Sequence, residues 1–196
     1  MKKNIFFGYT LIELLVVISI STVLFFLSIA SYQTFNKSQA LKAGASEVES
    51  ALREAQNRAI SGNKEETSCP TNGDVDGVPN YLLRNWVFEW GSNYLNNNQY
   101  QIFGVCYDSH GVAAIPEVEF PNPKKVYSLP NIDNLRFNNT GKLNFNPINL
   151  GVSIEGSTAN MTNICLINDS GKYYKIIVSR SGEISVEKVT APATCL

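Results

Sequence analysis

The sequence predicts an α+β protein: a long N-terminal helix packed on an antiparallel β-sheet head. Three observations carry this prediction. An uncharged apolar run lies near the N-terminus, from Leu14 to Ala30. Behind it, apolar residues recur at helical spacing as far as Ala59. Further along, the chain changes to short runs rich in Tyr, Ile, Val and Phe, separated by Asn, Gly, Pro and Ser.

The apolar run, LLVVISISTVLFFLSIA, contains no charge, Pro or Gly. Its seventeen residues reach the short end of a membrane span, and residues 9–30 are taken together as the transmembrane half of the helix. Ser19, Ser21, Thr22 and Ser28 do not prevent insertion, because a helical hydroxyl can bond back to the preceding turn. Lys2 and Lys3 place the N-terminus on the cytoplasmic side. Between Lys3 and Lys37 the only charged side chain is Glu13, at the mouth of the run. A secretory signal or a plain anchor needs no carboxylate there, and an ionisable group at that depth marks function.

Residues 31–62 read as the amphipathic half of the same helix. Leu41, Ala45, Val48, Leu52, Ala55 and Ala59 follow one another at spacings of four and three, which is one face of a helix. Half of that face is alanine, which favours close approach to a sheet over a coiled-coil seam. Glu49 with Arg53 and Glu54 with Arg58 are i,i+4 pairs in the better orientation. Gly62-Asn63 supplies a stop, so the helix is expected over Tyr9–Ser61.

Residues 63–196 are expected to be a β-rich globular head. Thr67–Asn80 reads as a loop. Strands are expected at Tyr81–Trp90, Gln99–Tyr107, Ile132–Phe137, Ile164–Ile167, Lys172–Ser179 and Glu183–Val189. Turns at Asp169-Ser170-Gly171 and Arg180-Ser181-Gly182 join the last three into an antiparallel meander. Gly91–Asn98, Pro116–Pro130 and Asn138–Asn149 read as loops. Trp86, Phe88 and Trp90 share one parity, which assigns them to the core face.

Composition narrows the chemistry. With 16 basic and 17 acidic residues there is no basic surplus for a nucleic-acid partner. Cys69, Cys106, Cys165 and Cys195 form no C-x-x-C pair and there is one histidine, so zinc and thioredoxin-like frameworks do not fit. An even count in an exported chain reads as two disulfides, against the alternative of four buried thiols. Sequence leaves three connectivities open; Cys69–Cys106 with Cys165–Cys195 is the one we favour. Asp108-Ser109-His110 holds triad residue types, but consecutive residues do not face one another as a triad must. Asn72-Gly73-Asp74-Val75-Asp76-Gly77 resembles the start of a calcium loop, with Asn72, Asp74 and Asp76 as oxygen ligands. Its twelfth position is Leu83 instead of the usual glutamate, so an Asx-rich turn in water is the competing reading and no cofactor is required.

Gly8-Tyr9-Thr10-Leu11-Ile12-Glu13-Leu14-Leu15-Val16-Val17-Ile18 resembles the type IV prepilin signature. That resemblance implies a pilin-like fold and a leader of residues 1–8 removed after Gly8. It also implies N-methylation of Tyr9, where the family usually has Phe, and an assembly role for Glu13. Removing Lys2 and Lys3 would take the formal net charge from −1 to −3. The helix segment ALREAQNRAISG and the stretches RFNNTGKLNF and IIVSRSGEISV are similar to the H-type minor pseudopilins of type II secretion; residues 63–129 are not placed by this likeness. The resemblance implies a structural subunit, not an enzyme, of a pilus or secretion pseudopilus. Its partners would be other pilin or pseudopilin subunits, prepilin peptidase, an inner-membrane assembly platform and lipid. It would be a single-pass inner-membrane protein whose head ends in a periplasmic or extracellular filament. The alternative is a filament-borne binding module for adhesion, DNA uptake or a secreted substrate.

Overall fold

A computed structural model describes residues 10–64, 69, 81–92, 95–108, 118–120, 124–147, 151–154 and 159–189. The chain divides into two compact units, Met1–Gln39 and Ala40–Leu196. One helix, α1 (Leu11–Ile60), contributes to both.

In the first unit, α1 has no stripe. Apolar side chains from Leu11 to Leu27, and Tyr32 and Phe35 beyond them, are exposed on every side of the helix. Such a surface is unfavourable in water and suits lipid. Two of the polar residues within it are satisfied locally: Ser19 Oγ donates to the Leu15 carbonyl at 2.8 Å and Thr22 Oγ1 to that of Ile18 at 2.7 Å.

In the second unit, α1 acquires a buried stripe. Leu41, Ala45, Val48, Leu52, Ala55 and Ala59, the face expected from sequence, are all at most 1% exposed. Both expected ion pairs form, Arg53 to Glu49 at 2.8 Å and Arg58 to Glu54. The helix ends one residue before the expected stop, in a Schellman closure. Gly62, at φ 65°, donates to Ala59, and Asn63 donates to Arg58 at 3.0 Å. Trp86 seals this end by donating Nε1–H to the Asn63 carbonyl at 2.8 Å, with the Arg58 guanidinium 4.8 Å from its ring centroid.

Among the described residues, ten strands form two antiparallel sheets, which gives the expected β-rich head. The first contains β1 (Tyr81–Trp90), β2 (Gln99–Asp108), β3 (Val118–Phe120), β4 (Val126–Ser128), β6 (Gly141–Phe145) and β7 (Val152–Ile154). Its order is β3-β2-β1-β6-β7, with β4 also paired to β2. The second contains β5 (Arg136–Phe137), β8 (Met161–Ile167), β9 (Tyr173–Ser179) and β10 (Ile184–Val189), in the order β10-β9-β8-β5. The meander β8-β9-β10 turns at the two predicted sites.

Three expectations need correction. The strand expected over Ile132–Phe137 shrinks to Arg136–Phe137, because Asp133 and Asn134 stand at φ 56° and 49° and interrupt extended backbone. Pro116–Pro130 contains β3 and β4. Asn138–Asn149 contains β6, whose alternation buries Leu143 and Phe145 despite the surrounding asparagines.

Trp86, Phe88 and Trp90 join the α1 stripe in one core, together with Leu135, Phe137, Ile164, Leu166, Ile176 and Val178 from around the second sheet. Each fully buried Leu, Ile, Val or Phe is worth about 1.5–3 kcal/mol of transfer free energy. On the opposite face of the first sheet, Val87, Phe103 and Val105 form a small separate cluster.

Candidate functional site

The start of α1 carries the site. Thr10 precedes the first helical residue, where four backbone donors lack partners. Its amide donates to Glu13 Oε2 at 2.9 Å and its hydroxyl to the same oxygen at 2.8 Å. In return the Glu13 amide donates to Thr10 Oγ1 at 3.3 Å. This is a capping box, T-x-x-E, with the carboxylate at the positive end of the helix dipole. The signal was present in Thr10-Leu11-Ile12-Glu13, but reading Glu13 for assembly passed over its local partner. Both donors reach one carboxylate oxygen, so Oε1 remains available to a cation. Ile12, Val16 and Val17 form an exposed apolar surface around the carboxylate. Gly8 and Tyr9, expected to flank the cleavage, lie outside the described residues.

The head holds the disulfide Cys69–Cys106, one of the two pairs favoured from sequence; both cysteines are fully buried. Cys165 is buried and disulfide-bonded as well; Cys195, the partner expected for it, lies outside the described residues. So do Asn72, Asp74 and Asp76 of the expected calcium loop, and Ser109 and His110. Among the described residues, no group of His, Cys, Asp and Glu is placed to hold a metal ion.

Two polar arrangements were not foreseen. Tyr100 donates its hydroxyl to Glu47 Oε1 at 3.1 Å, so a strand is tied to the helix flank. Burial, and after it the Glu47 carboxylate, pushes the Tyr100 phenol above its ordinary range. At one end of the second sheet, Asp169 accepts from Arg136 at 2.7 Å and from Asn134 at 2.5 Å, which holds its carboxyl below the usual value. These pairs join residues 53 and 33–35 positions apart, and local sequence pattern carries no signal for such distances.

The described residues offer a carboxylate in an apolar helix and a covalently stapled head. A family model described as type II transport protein GspH matches residues 44–182, more than two-thirds of the chain. The chain belongs to the GspH family. GspH is a structural pseudopilin family, not one of enzymes, so this chain is a type II secretion pseudopilus subunit. The GspH match runs through residues 63–129, which the sequence resemblance had left unplaced. Membership implies contact with other pseudopilin subunits and the secretion machinery, and the apolar helix anchors the chain in a membrane. No curated protein and no solved structure matches the chain.

Proposed function

We propose that this chain is a minor subunit of the secretion pseudopilus. It is made as a precursor with Lys2 and Lys3 in the cytoplasm and the head outside. Prepilin peptidase cuts between Gly8 and Tyr9, and Tyr9 becomes the methylated N-terminus. Residues 9–30 then hold the subunit in the inner membrane, 31–62 continue the helix and 63–196 form the exported head. With the assembly platform, α1 packs laterally against neighbouring subunits.

The observation that supports this reading is the Thr10–Glu13 box. The only charge between Lys3 and Lys37 has one oxygen held by its own helix start and one oxygen over for a partner. In an apolar filament core that partner is the ammonium at the neighbour's Tyr9. An unpaired carboxylate would be strongly disfavoured there, so Glu13 selects register more than it adds stability.

Intact-mass spectrometry of the membrane-extracted protein, with and without co-expressed prepilin peptidase, tests the processing. Loss of residues 1–8 with one added methyl group is expected; an uncut chain refutes it. Glu13→Ala is expected to insert and be cleaved but to enter the filament poorly, and normal incorporation would remove the role given to Glu13.

A further inference from the structure

Beside the second half of α1 lies a groove of about 590 Å³ that the assembly role of Glu13 does not use. On the helix side it is lined by small exposed residues, among them Ser46 and Ser50. Opposite stand Tyr100 of β2 and Tyr127 of β4, stacked with ring centroids 5.3 Å apart and planes 9° from parallel. Two carboxylates, Glu47 and Glu54, line it, and Lys125 Nζ stands 5.0 Å from the centroid of the Tyr127 ring. Glu54 is paired with Arg58, whereas among the described residues Glu47 receives only the Tyr100 hydroxyl, on one of its two oxygens.

We infer that this groove receives an arginine side chain from a different subunit of the filament; the inference rests on the pseudopilus reading above. A carboxylate with an oxygen left over attracts a cation through its charge, and the stacked tyrosines give the incoming side chain a flat wall to lie along. Small residues on the helix flank admit a partner's backbone closely enough for its side chain to reach Glu47. The planar, weakly hydrated guanidinium suits a carboxylate flanked by rings better than a compact, strongly hydrated ammonium does. A second copy of this chain is a poor donor. Arg53, Arg58 and Arg136 are already paired with carboxylates of their own chain, and Arg84 and Arg180 also have partners. A copy would have to break one of these contacts to supply the group.

The test uses the full-length chain in its own membrane with the other filament subunits present. Ser50 is replaced by the photo-crosslinker p-benzoylphenylalanine and the crosslinked peptide is mapped by mass spectrometry. The expected product joins a different subunit through an arginine-containing peptide. Glu47→Gln should lower its yield by about fivefold or more, as loss of a charged interfacial pair does. Ser46→Trp, which fills the groove from an exposed helix position, should abolish it while the Cys69–Cys106 disulfide still forms on a non-reducing gel. No crosslink, a crosslink to a second copy, a peptide without arginine, or a yield indifferent to Glu47→Gln each overturns the inference. Glu13→Ala separates the two claims. Assembly that ignores Glu13→Ala defeats the pseudopilus mechanism itself. Assembly that depends on Glu13 but ignores Glu47→Gln and Ser46→Trp leaves that mechanism standing and removes the groove.

Discussion

The carbonyl oxygen of Arg180 lies 2.3 Å from where a Cβ on Gly151 would sit. The same oxygen accepts the Val152 amide at 2.9 Å, so the β9–β10 turn of one sheet is bonded to the start of β7 in the other. Gly151 stands at φ +71°. Gly171 has nearly the same backbone, φ +68°, but nothing within 4 Å. Gly171→Ala should therefore cost only the left-handed penalty, about 1–2 kcal/mol. Gly151→Ala should cost at least about twice that, because the obstacle is backbone that a rotamer change does not clear. Urea unfolding of the two variants in detergent would measure the difference, and equal costs would show that the contact between the sheets yields freely.

The Cys69–Cys106 bond closes a loop across a sequence separation of 37. On the chain-entropy account, opening such a loop costs about 3–4 kcal/mol of stability. Cys69→Ser should show that loss as a lower urea midpoint under oxidising conditions. A change under about 1 kcal/mol would mean that the reduced denatured chain is already compact there.

Ala55 is fully buried against the sheets. Ala55→Leu adds three carbons where no space is left, which should cost about 1–3 kcal/mol. For a head of this size that lowers Tm by roughly 3–10 °C. An unchanged Tm by calorimetry would show that the helix lifts from the sheet without loss.

The lowered pKa of Asp169, set first by the Arg136 and Asn134 hydrogen bonds, fixes the sign of a pH effect. A carboxyl with a depressed folded value contributes stability that is fully present above its unfolded value, near 3.8, and is lost as pH falls through the folded one. Asp169→Asn should remove that part of the acid dependence and leave the rest of the profile unchanged. The contribution is small, since the group is exposed. A profile identical to the parent below pH 4 would assign the acid limb to other carboxylates.

Legibility followed the range of the interactions. The α1 stripe, its i,i+4 pairs, the Gly62 closure and the β8-β9-β10 meander rest on neighbours a few residues apart, and the sequence displays them directly. β6 escaped because asparagines around Gly141–Phe145 outweighed the Leu143/Phe145 alternation. The strand order escaped because pairings such as β5 with β8 and β1 with β6 join residues far apart in the chain, and no local pattern encodes them. The Tyr100–Glu47 tie and the groove beside it are of the same kind. For the site, Glu13 stood out as the lone charge in an apolar run, whereas Thr10 was readable and overlooked.

The change in burial along α1 sets two different rules for how this gene can drift. Where apolar side chains are exposed on every side, the fold of the subunit itself weighs only their sum. Leu, Ile, Val and Phe could trade places between Leu14 and Leu27 with little penalty, so descendants would keep the hydropathy and lose the identities. From Leu41 to Ala59 selection weighs each address: Ala45, Ala55 and Ala59 are almost or wholly enclosed, and a larger residue at any of them meets the sheets. A single helix would thus diverge quickly at one end and stay fixed at the other, with no break in its backbone to mark where one regime gives way to the next.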